Sequence, residues 1–184
     1  MKHNFFNHLK TVHNHRMLVM KACFKVGLYK QGLLHDLSKY SISEFMVGVK
    51  YYQGYQSPNN AERDAIGYST AWLHHKGRNK HHYEYWIDYS SELNDGSVIS
   101  VEMPPKYFAE MVMDRIAASK TYKKENYTDS SPLEYFNLGK DRIPINKKNR
   151  ENLEYVLTLL SKEGEAAMYQ YIKEEVLKNE KINK

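Results

Sequence analysis

The sequence predicts an all-α protein, and three observations support this prediction. Apolar residues recur every three or four positions along most of the 184 residues, which is the spacing of helices with one buried face. Capping and turn residues divide the chain into segments of helical length. The alternation that would indicate a strand extends over residues 98–101 at most. We therefore expect a single-domain helical bundle over residues 1–184.

In the first half, capping and turn residues set the expected helix boundaries. Ser41 precedes Glu44 by three residues, and this capping-box spacing predicts a helix start at Ser41. Leu33, Leu34 and Leu37 should lie on a short helix before it and pack around the polar residues between them. The expected helices of this half span residues 5–28, 33–37, 41–53 and 61–75, with a turn over residues 54–60.

The second half starts with short elements and continues with longer helices. Residues 81–90 predict a short helical piece, and Asn94–Ser97 predicts a turn. Pro104 and Pro105 are tolerated in a first helical turn, so a long helix should run from there to about Lys123. The remaining helices are expected over residues 131–139, 146–162 and 164–178.

The composition is that of a globular protein without a membrane segment. Hydrophobic residues make up 41% and charged residues 27%, and no apolar run approaches the roughly 18 residues of a membrane span. The first sixteen residues interrupt their apolar positions with His, Asn and Lys, so they predict no signal peptide. Cys23 is the one cysteine, which favours a reducing compartment and a role as a small buried side chain. We therefore expect a cytoplasmic protein.

The net charge is mildly cationic. A charge of +5 and a pI near 9.0 favour anionic partners such as nucleotides, and nucleic acid binding stays open. Near the C-terminus, an apolar stripe at helical spacing is formed by Leu153, Val156, Leu157 and Leu160. This stripe should cover the core, and the alternative is that it faces a second copy in a homodimer.

The distribution of the nine histidines indicates a metal site, because all of them lie within the first 82 residues. Several are close together or beside a carboxylate: His13 and His15, His35 and Asp36, and His74, His75, His81 and His82. Imidazole is a borderline base that binds divalent transition metals, and a carboxylate supplies a hard anionic ligand. The chain is therefore expected to hold metal with residues from separate segments.

His35 and Asp36 are at the centre of this hypothesis. Adjacent residues on a helix point about 100° apart, so both can reach one ion only near a helix end or where the ion lies in the angle between them. Ser41 starts a new helix soon afterwards, which supplies such an end. A buried carboxylate is costly unless it is paired or bound to metal. Lys39 lies three residues after Asp36, where it could pair with Asp36 or Glu44, or face a phosphate bound to the metal.

Two further candidates lie at the edges of apolar helix faces. His15 is four residues before Val19 on the apolar face of the first helix, whereas His13 should be exposed. Asp114 lies at the border of the apolar face of the long helix, where a carboxylate needs a partner. Arg115 could be that partner or could face a phosphate. Taken singly, His15 and Asp114 are also explained by a satisfied core-edge histidine and a surface ion pair.

The segment from His74 to His82 offers further ligands. Four imidazoles in nine residues repel one another when protonated, which should lower their pKa values and favour the neutral, metal-binding form. The alternative is a solvated loop rich in His and Lys. Two other zinc motifs are excluded, because HExxH is absent and the CxxC of a zinc deaminase cannot form with one cysteine.

The order of these residues in a helical chain resembles the HD-domain superfamily of metal-dependent phosphohydrolases. The ligands of that superfamily follow the order His, His-Asp, further histidines and Asp, as do His15, His35-Asp36, the histidines of residues 74–82 and Asp114. The extra histidines resemble the two-metal branch, which includes HD-GYP phosphodiesterases and the di-iron oxygenase that cleaves myo-inositol. No GYP tripeptide follows them, so cyclic dinucleotide specificity is not implied.

Two segments carry the resemblance most closely. His35-Asp36-Leu-Ser-Lys39 resembles the HDxGK sequence of the superfamily, with Ser38 where glycine is usual. The chain is also similar to a small uncharacterised HD-like family with HDxSK and HHxxxNxHHxEYW segments. The resemblance covers residues 15 to about 120. It implies an HD-like bundle with a metal-site core over about residues 10–125 and covering helices over about residues 132–180.

The resemblance implies roles for individual residues. The implied metal ligands are His15, His35, Asp36, His75, His82 and Asp114, and the choice among the four clustered histidines stays open. The implied catalytic residues are Lys39, His74 and His81. The implied substrate-binding residues are Lys39, Arg78 and Arg115. The implied cofactor is one or two divalent transition-metal ions, either Fe, Mn, Zn, Ni or Co.

Three functions are compatible with this ligand set. A phosphohydrolase would cleave a nucleotide or related phosphate ester, either a monoester or a diester, through metal-activated water. A di-iron oxygenase would use the same ligands. A non-enzymatic module would use metal to stabilise a surface that binds nucleic acid or protein. The expected partners are therefore a small phosphorylated substrate or a nucleic acid, and not a membrane.

Overall fold

The computed structural model describes residues 2–91 and 96–178. Within these residues, eight α-helices and one small antiparallel sheet form the protein, so the predicted all-α class is confirmed. Part of the predicted turn at Asn94–Ser97, and the last two residues of the predicted covering region, 179–180, lie outside the described residues. None of the described helices combines the length and the apolarity that crossing a membrane requires.

The helices are α1 (Lys2–Lys25), α2 (Tyr29–Leu34), α3 (Ile42–Lys50), α4 (Pro58–Ile66), α5 (Thr70–Lys76), α6 (Pro105–Lys123), α7 (Ser131–Asn137) and α8 (Lys147–Tyr171). The two strands, β1 (Ile87–Tyr89) and β2 (Val98–Ser100), pair with Asp88 opposite Ile99. Short 3₁₀ turns cover Leu37–Tyr40, Tyr83–Trp86 and Lys124–Asn126, and a π-helical turn, Ile172–Val176, follows α8.

The core lies between α1, α6 and α8. Helix α1 packs against both α2 and α6, and α7 packs against α6 and α8. Along α6, every position from Phe108 to Met113 is buried, and Glu110 is the charged residue among them. The predicted stripe of α8 is confirmed as core, since its four members are fully buried: Leu153, Val156, Leu157 and Leu160. Burial of Cys23 likewise agrees with its predicted role.

The predicted helix over residues 61–75 is wrong, because two helices occupy this stretch and its preceding turn. Gly67 ends α4 with a φ of 85°, a left-handed conformation that glycine adopts without steric cost. Ser69 then caps α5 by accepting a hydrogen bond from the Trp72 amide at 3.0 Å. The predicted helical piece over residues 81–90 is confirmed only as the 3₁₀ helix Tyr83–Trp86, and it is wrong from Ile87 onwards, where β1 begins.

The leucines near the His-Asp pair do not bury it. Leu33, Leu34 and Leu37 are about half exposed, which contradicts the expected packing around the pair. Helix α2 ends at Leu34, and the turn that follows directs the polar pair inwards and the leucines outwards. Arg16 of α1 stabilises this turn, because its guanidinium donates hydrogen bonds to the carbonyl oxygens of His35 at 2.7 Å and Leu33 at 3.1 Å.

Glu62 of α4 anchors α5, the helix that carries His74 and His75. Its carboxylate is buried and accepts hydrogen bonds from the hydroxyls of Ser69 and Thr70, both at 2.6 Å. A carboxylate at a helix N-terminus satisfies free backbone amides and complements the helix dipole. The two histidines are thereby held at the other end of a fixed helix.

Replacement of Leu157 by alanine should lower the free energy of unfolding by about 2–5 kcal/mol, since its side chain is fully buried and its removal leaves a cavity. Urea denaturation monitored by circular dichroism measures this change. The control is Leu33→Ala, at a half-exposed leucine, which should cost less than about 0.5 kcal/mol. Equal losses in the two variants would contradict the assignment of α8 to the core.

Candidate metal centre

The turn between α2 and the following 3₁₀ segment directs His35 and Asp36 towards one point. Asp36 has φ 53° and ψ 27°, the left-handed conformation, which Asp and Asn tolerate better than most residues. Because the helix has already ended, the two side chains escape the 100° separation of adjacent helical residues. His35 is 1% exposed and Asp36 is fully buried.

One group of possible ligands gathers on the Oδ2 side of Asp36. The group consists of His15, His35, Asp36 and Asp114. His15 Nε2 lies 2.9 Å from Asp114 Oδ1, and His35 Nε2 lies 3.3 Å from Asp36 Oδ2 and 3.5 Å from Asp114 Oδ1. Helix α1, the turn after α2 and helix α6 therefore each contribute to the same site, although α6 follows α1 by some eighty residues.

A second group lies on the other side of the same carboxylate. It consists of Asp36, His75, His81 and His82. Asp36 Oδ1 lies 3.2 Å from His75 Nε2 and 3.3 Å from His81 Nε2. Asp36 therefore directs one oxygen to each group, which is the arrangement of a carboxylate that bridges two ions.

The spacing of these atoms suits transition-metal ligands. Ligands about 2.0–2.1 Å from an ion lie about 2.8–3.4 Å apart for bond angles from about 90° to tetrahedral. The distances between the Nε2 and carboxylate atoms of the two groups run from 2.9 to 3.6 Å. Four protein ligands on each side, with water or substrate completing the coordination, would satisfy such an ion.

Unpaired polar atoms are concentrated at this point of the molecule. Among the described residues, both Asp36 oxygens and the Nε2 atoms of five histidines are buried and make no hydrogen bond of standard geometry, although Lys39 forms an ion pair with Asp36 Oδ2. The five histidines are His15, His35, His75, His81 and His82. Buried polar groups in proteins are nearly always hydrogen-bonded, and each exception destabilises the fold. Bound metal would satisfy all seven atoms together.

Glu44 and Glu110 contact three of the ligand histidines at Nδ1, the ring nitrogen that does not face the ligand groups. Glu110 Oε1 accepts hydrogen bonds from Nδ1 of His35 at 2.9 Å and lies 3.1 Å from Nδ1 of His81, and Glu44 Oε2 accepts one from Nδ1 of His75 at 2.8 Å. A carboxylate on Nδ1 fixes the tautomer and leaves Nε2 free for metal. Glu110 could itself form a ligand group with His35 and His81, but its hydrogen bonds assign it to the outer shell.

Hydrogen bonds of Asn79 connect the loop that carries His81 and His82 to the turn that contains Asp36. Its side-chain amide donates hydrogen bonds to Ser38 Oγ at 2.9 Å and to the His75 carbonyl at 2.8 Å. The Ser38 hydroxyl gives the loop an anchor that glycine at this position would lack. The two histidines are thus positioned by hydrogen bonds to residues on both sides of the site.

The electrostatic field of the centre is set by Asp36. Burial would raise the pKa of Asp36, but His35 and Lys39 hold it well below its usual range. Lys39 Nζ lies 2.5 Å from Asp36 Oδ2, and although burial opposes it, Asp36 raises the pKa of Lys39. Of the two ion pairs predicted for Lys39, with Asp36 or with Glu44, the structure shows the one with Asp36.

The expected lowering of histidine pKa values holds for His82 and is wrong for His75 and His81. Burial, followed by repulsion from His81 and His75, lowers the pKa of His82 well below its ordinary value. Burial also acts on His75 and His81, but the nearby carboxylates, above all Asp36, outweigh it and raise both pKa values. Spacing along the chain did not indicate that one carboxylate would reach both rings.

A cavity of about 760 Å³ opens onto the centre. His15, Asp114 and His82 line it, so it reaches both ligand groups. Its lining also contains four cationic side chains: Lys39, Arg63, Arg115 and Lys123. A ligand in this cavity would therefore lie beside the metal centre and within reach of positive charge.

The other predicted residues are distributed around the centre as follows. His81, predicted to be catalytic, lies in the second ligand group, whereas His74 donates from Nδ1 to Glu44 Oε1 at 2.6 Å and belongs to neither group. Arg115 lines the cavity, and its Nε makes no hydrogen bond with a described residue. Arg78 is exposed and is not among the described residues that line the cavity.

Sequence reasoning missed Glu44, Glu110 and His8. Glu44 was assigned to a capping box, but the structure shows no side-chain cap at Ser41, and Glu44 is buried against His74 and His75. The helix start at Ser41 is nevertheless right. Glu110 lies one turn before Asp114 on α6, and this i, i+4 pair of carboxylates could have indicated it. His8 is buried and lines the cavity.

Protein purified without a His tag should bind two divalent transition-metal ions per chain, because Asp36 serves two ligand groups. Asp36→Asn should lose both ions, and asparagine tolerates the left-handed conformation at this position. Asp114→Asn should weaken only the first site. Elemental analysis and calorimetric titration measure these stoichiometries. The exposed His13 gives the control variant His13→Ala, which should retain both ions; retention of two ions by Asp36→Asn would contradict a shared carboxylate.

Metal affinity should rise with pH. His35, His75 and His81 have pKa values raised above 6.5 in the metal-free protein, so protons compete with metal until the pH exceeds those values. The same raised values stabilise the metal-free fold below about pH 6.5 and cease to do so as the pH rises. Thermal unfolding at about pH 6 and pH 8.5 should therefore show opposite trends for chelated and metal-loaded protein. Parallel trends would contradict this assignment.

Comparisons with known proteins bear on the family of the chain. No curated protein and no solved structure matches it. A family model does match, over residues 4–159, a range that includes every member of the two ligand groups. The chain belongs to the family of unknown function DUF5662.

Proposed function

We propose that the protein is a metal-dependent phosphohydrolase of the HD type that acts on a nucleotide or related phosphate ester. The observation that carries this proposal is the shared use of Asp36 by two ligand groups beside an open cavity. Pairs of closely spaced ions are common in enzymes that cleave phosphate esters. The order His15, His35-Asp36, clustered histidines and Asp114 gives further support through its resemblance to the HD superfamily.

The charge of the cavity favours an anionic substrate. Two divalent ions would be balanced by the carboxylates of Asp36, Asp114, Glu44 and Glu110. Of the other charged residues that line the cavity in the described part of the chain, four are cationic and Glu84 is the single acidic one. The loaded cavity would thus carry net positive charge, which suits a phosphate group.

Individual residues would have distinct tasks. His15, His35, Asp36 and Asp114 would hold one ion, and Asp36 with His75, His81 and His82 would hold the other. Bound divalent metal would lower the pKa of a coordinated water and polarise a phosphoryl oxygen. Lys39 and Arg115 both line the cavity, and their positive charges would stabilise the charge that develops on the phosphoryl group.

The proposal does not use His74 and His81 as acids to the leaving oxygen. Neither residue is among the described residues that line the cavity. Nδ1 of His74 is taken by Glu44, and Nε2 of His81 faces Asp36. The proton for the leaving group would have to come from another group or from water in the cavity.

Protein loaded separately with Mn, Fe, Co, Ni or Zn should release phosphate, or the free alcohol, from at least one ester in a panel of nucleoside monophosphates, cyclic nucleotides and aryl phosphate mono- and diesters. Asp36→Asn should reduce this activity to background, because it removes a ligand from both groups. His13→Ala should leave it unchanged. Inactivity with every metal, or full activity in Asp36→Asn, would remove the proposal, and oxygen uptake by the iron form would favour the oxygenase.

Lys39→Met adds a test in which kcat/KM should fall and metal affinity should rise. Loss of a cation that faces the phosphoryl group should lower kcat/KM by about a hundredfold. Metal affinity should rise, because the Lys39 ammonium no longer competes for Asp36 Oδ2. Lys10→Met, at an exposed lysine of α1, is the matched control. A fall in both quantities would indicate a structural role for Lys39 instead.

A further inference from the structure

His8 is a buried titratable residue that the proposed chemistry does not use. It is 7% exposed on α1, and its Nδ1 is buried without a hydrogen bond to any described residue. The ring lies beside Phe45, at 5.1 Å between centroids, and Tyr52, at 6.0 Å. An apolar side chain would fill this space without leaving an unpaired polar atom, so packing alone does not explain an imidazole here.

Helix α3 leaves space for the His8 ring with a glycine, which lowers the stability of the helix. Gly48 lies within α3, where glycine is less favourable than alanine. A Cβ atom at position 48 would come within 2.1 Å of His8 Nε2, so no larger residue fits unless the ring moves. The glycine and the histidine therefore form a matched pair, and both line the cavity.

His8 belongs to the same stripe of α1 as the metal ligand His15. Positions 8, 12 and 15 recur at helical spacing, and all three line the cavity. Burial, followed by the nearby positive charge of Lys39, lowers the pKa of His8 to about 4. At neutral pH the ring is uncharged, and it offers one N–H donor and one acceptor nitrogen.

Part of the cavity surface, which includes His8, is polar but uncharged. We call this surface the His8 wall, and it is formed by His8, Thr11, Gln56, Ser57, Asn59 and Asn60. Imidazole, hydroxyl and amide groups can both donate and accept hydrogen bonds, which matches the hydroxyl groups of a sugar or polyol better than a second phosphate. Charged residues adjoin the wall at three points: Lys39, whose positive charge acts on His8, Arg63, whose guanidinium donates to Asn60 Oδ1 at 2.7 Å, and Asp64, which accepts from Gln56 Nε2 at 3.4 Å.

We infer that the His8 wall binds the hydroxyl-bearing alcohol part of the phosphate ester, and that His8 is a specificity-determining residue for it. The inference rests on the proposed function, since the phosphate would lie at the metal centre. It narrows the substrate to the phosphate ester of a sugar, polyol or nucleoside. Esters of apolar alcohols would bind without using the wall.

Binding of two phosphonates that cannot be hydrolysed tests this inference apart from catalysis. The probes are the methylene phosphonate analogue of ribose 5-phosphate and benzylphosphonate, titrated calorimetrically into metal-loaded protein. The wild type should bind the ribose analogue more tightly than benzylphosphonate. His8→Phe keeps a ring but removes both nitrogens, and it should weaken the ribose analogue about tenfold while leaving benzylphosphonate unchanged.

Two further variants separate recognition from packing. Gly48→Ala keeps the imidazole but displaces it, so it should reproduce the selective loss of His8→Phe. His13→Phe, on the exposed face of the same helix, should bind both probes as the wild type does. Melting temperatures with metal bound establish that each variant is folded.

The outcomes distinguish this inference from the proposed function. Equal binding of both probes by the wild type would overturn the inference, and so would equal weakening of both by His8→Phe, which indicates a structural role. Selective binding that depends on His8, in a protein that hydrolyses no phosphate ester, would support the wall and overturn the proposed function. Selective binding together with hydrolysis of sugar or nucleoside phosphates would support both.

Discussion

A buried carboxylate is the constraint around which the described part of the protein is arranged. Asp36 has both oxygens inside the fold, and the imidazoles that face them come from segments that include α1, α5 and the loop before β1. Asp114 of α6 belongs to one of the two ligand groups that share Asp36. An ionised carboxylate in such a place is stable only with opposite charge beside it. Lys39 and the imidazoles supply that charge in the metal-free protein, and the left-handed turn at Asp36 makes the convergence possible.

The inner and outer residues of the centre have different requirements. The inner atoms need a free lone pair, and the outer carboxylates of Glu44 and Glu110 provide this by engaging the opposite ring nitrogens. Glu110 is the charged residue within a buried run of α6, Phe108–Met113, so its burial needs the histidines as much as they need it. The inner histidines and the outer carboxylates therefore each reduce the free energy that burial of the other costs.

The residues of the centre differed in how far the sequence could predict them. His15, the His35-Asp36 pair, the clustered histidines and Asp114 carried a recognisable order, and the structure brings them together. Glu44 was assigned to helix capping, because the same Ser-x-x-Glu spacing serves both a cap and a buried contact. His8 had no signal at all, since its importance depends on Gly48, which is distant along the chain.

The helical class and the long helices followed from apolar spacing, because burial of one helix face leaves a regular pattern. Residues 61–90 were predicted less well. There the helices are short, and caps such as Ser69 and the left-handed Gly67 decide the boundaries more than periodicity does. Exposure of Leu33 and Leu34 was likewise not predictable, since it depends on the turn at Asp36, a tertiary feature.

The pairing of His35 with Glu110 joins positions 75 residues apart in the chain. Bound metal would cross-link the same two segments through His35 and Asp114 and so close a long loop, and such links restrict the unfolded chain more than links that close short loops do. Helices α7 and α8 contribute no member to either ligand group. Bound metal would therefore stabilise the segments between His15 and Asp114, whereas α7 and α8 are held by apolar packing. Chelation should therefore loosen the N-terminal two-thirds first, and protease cleavage sites should appear there before they appear in α8.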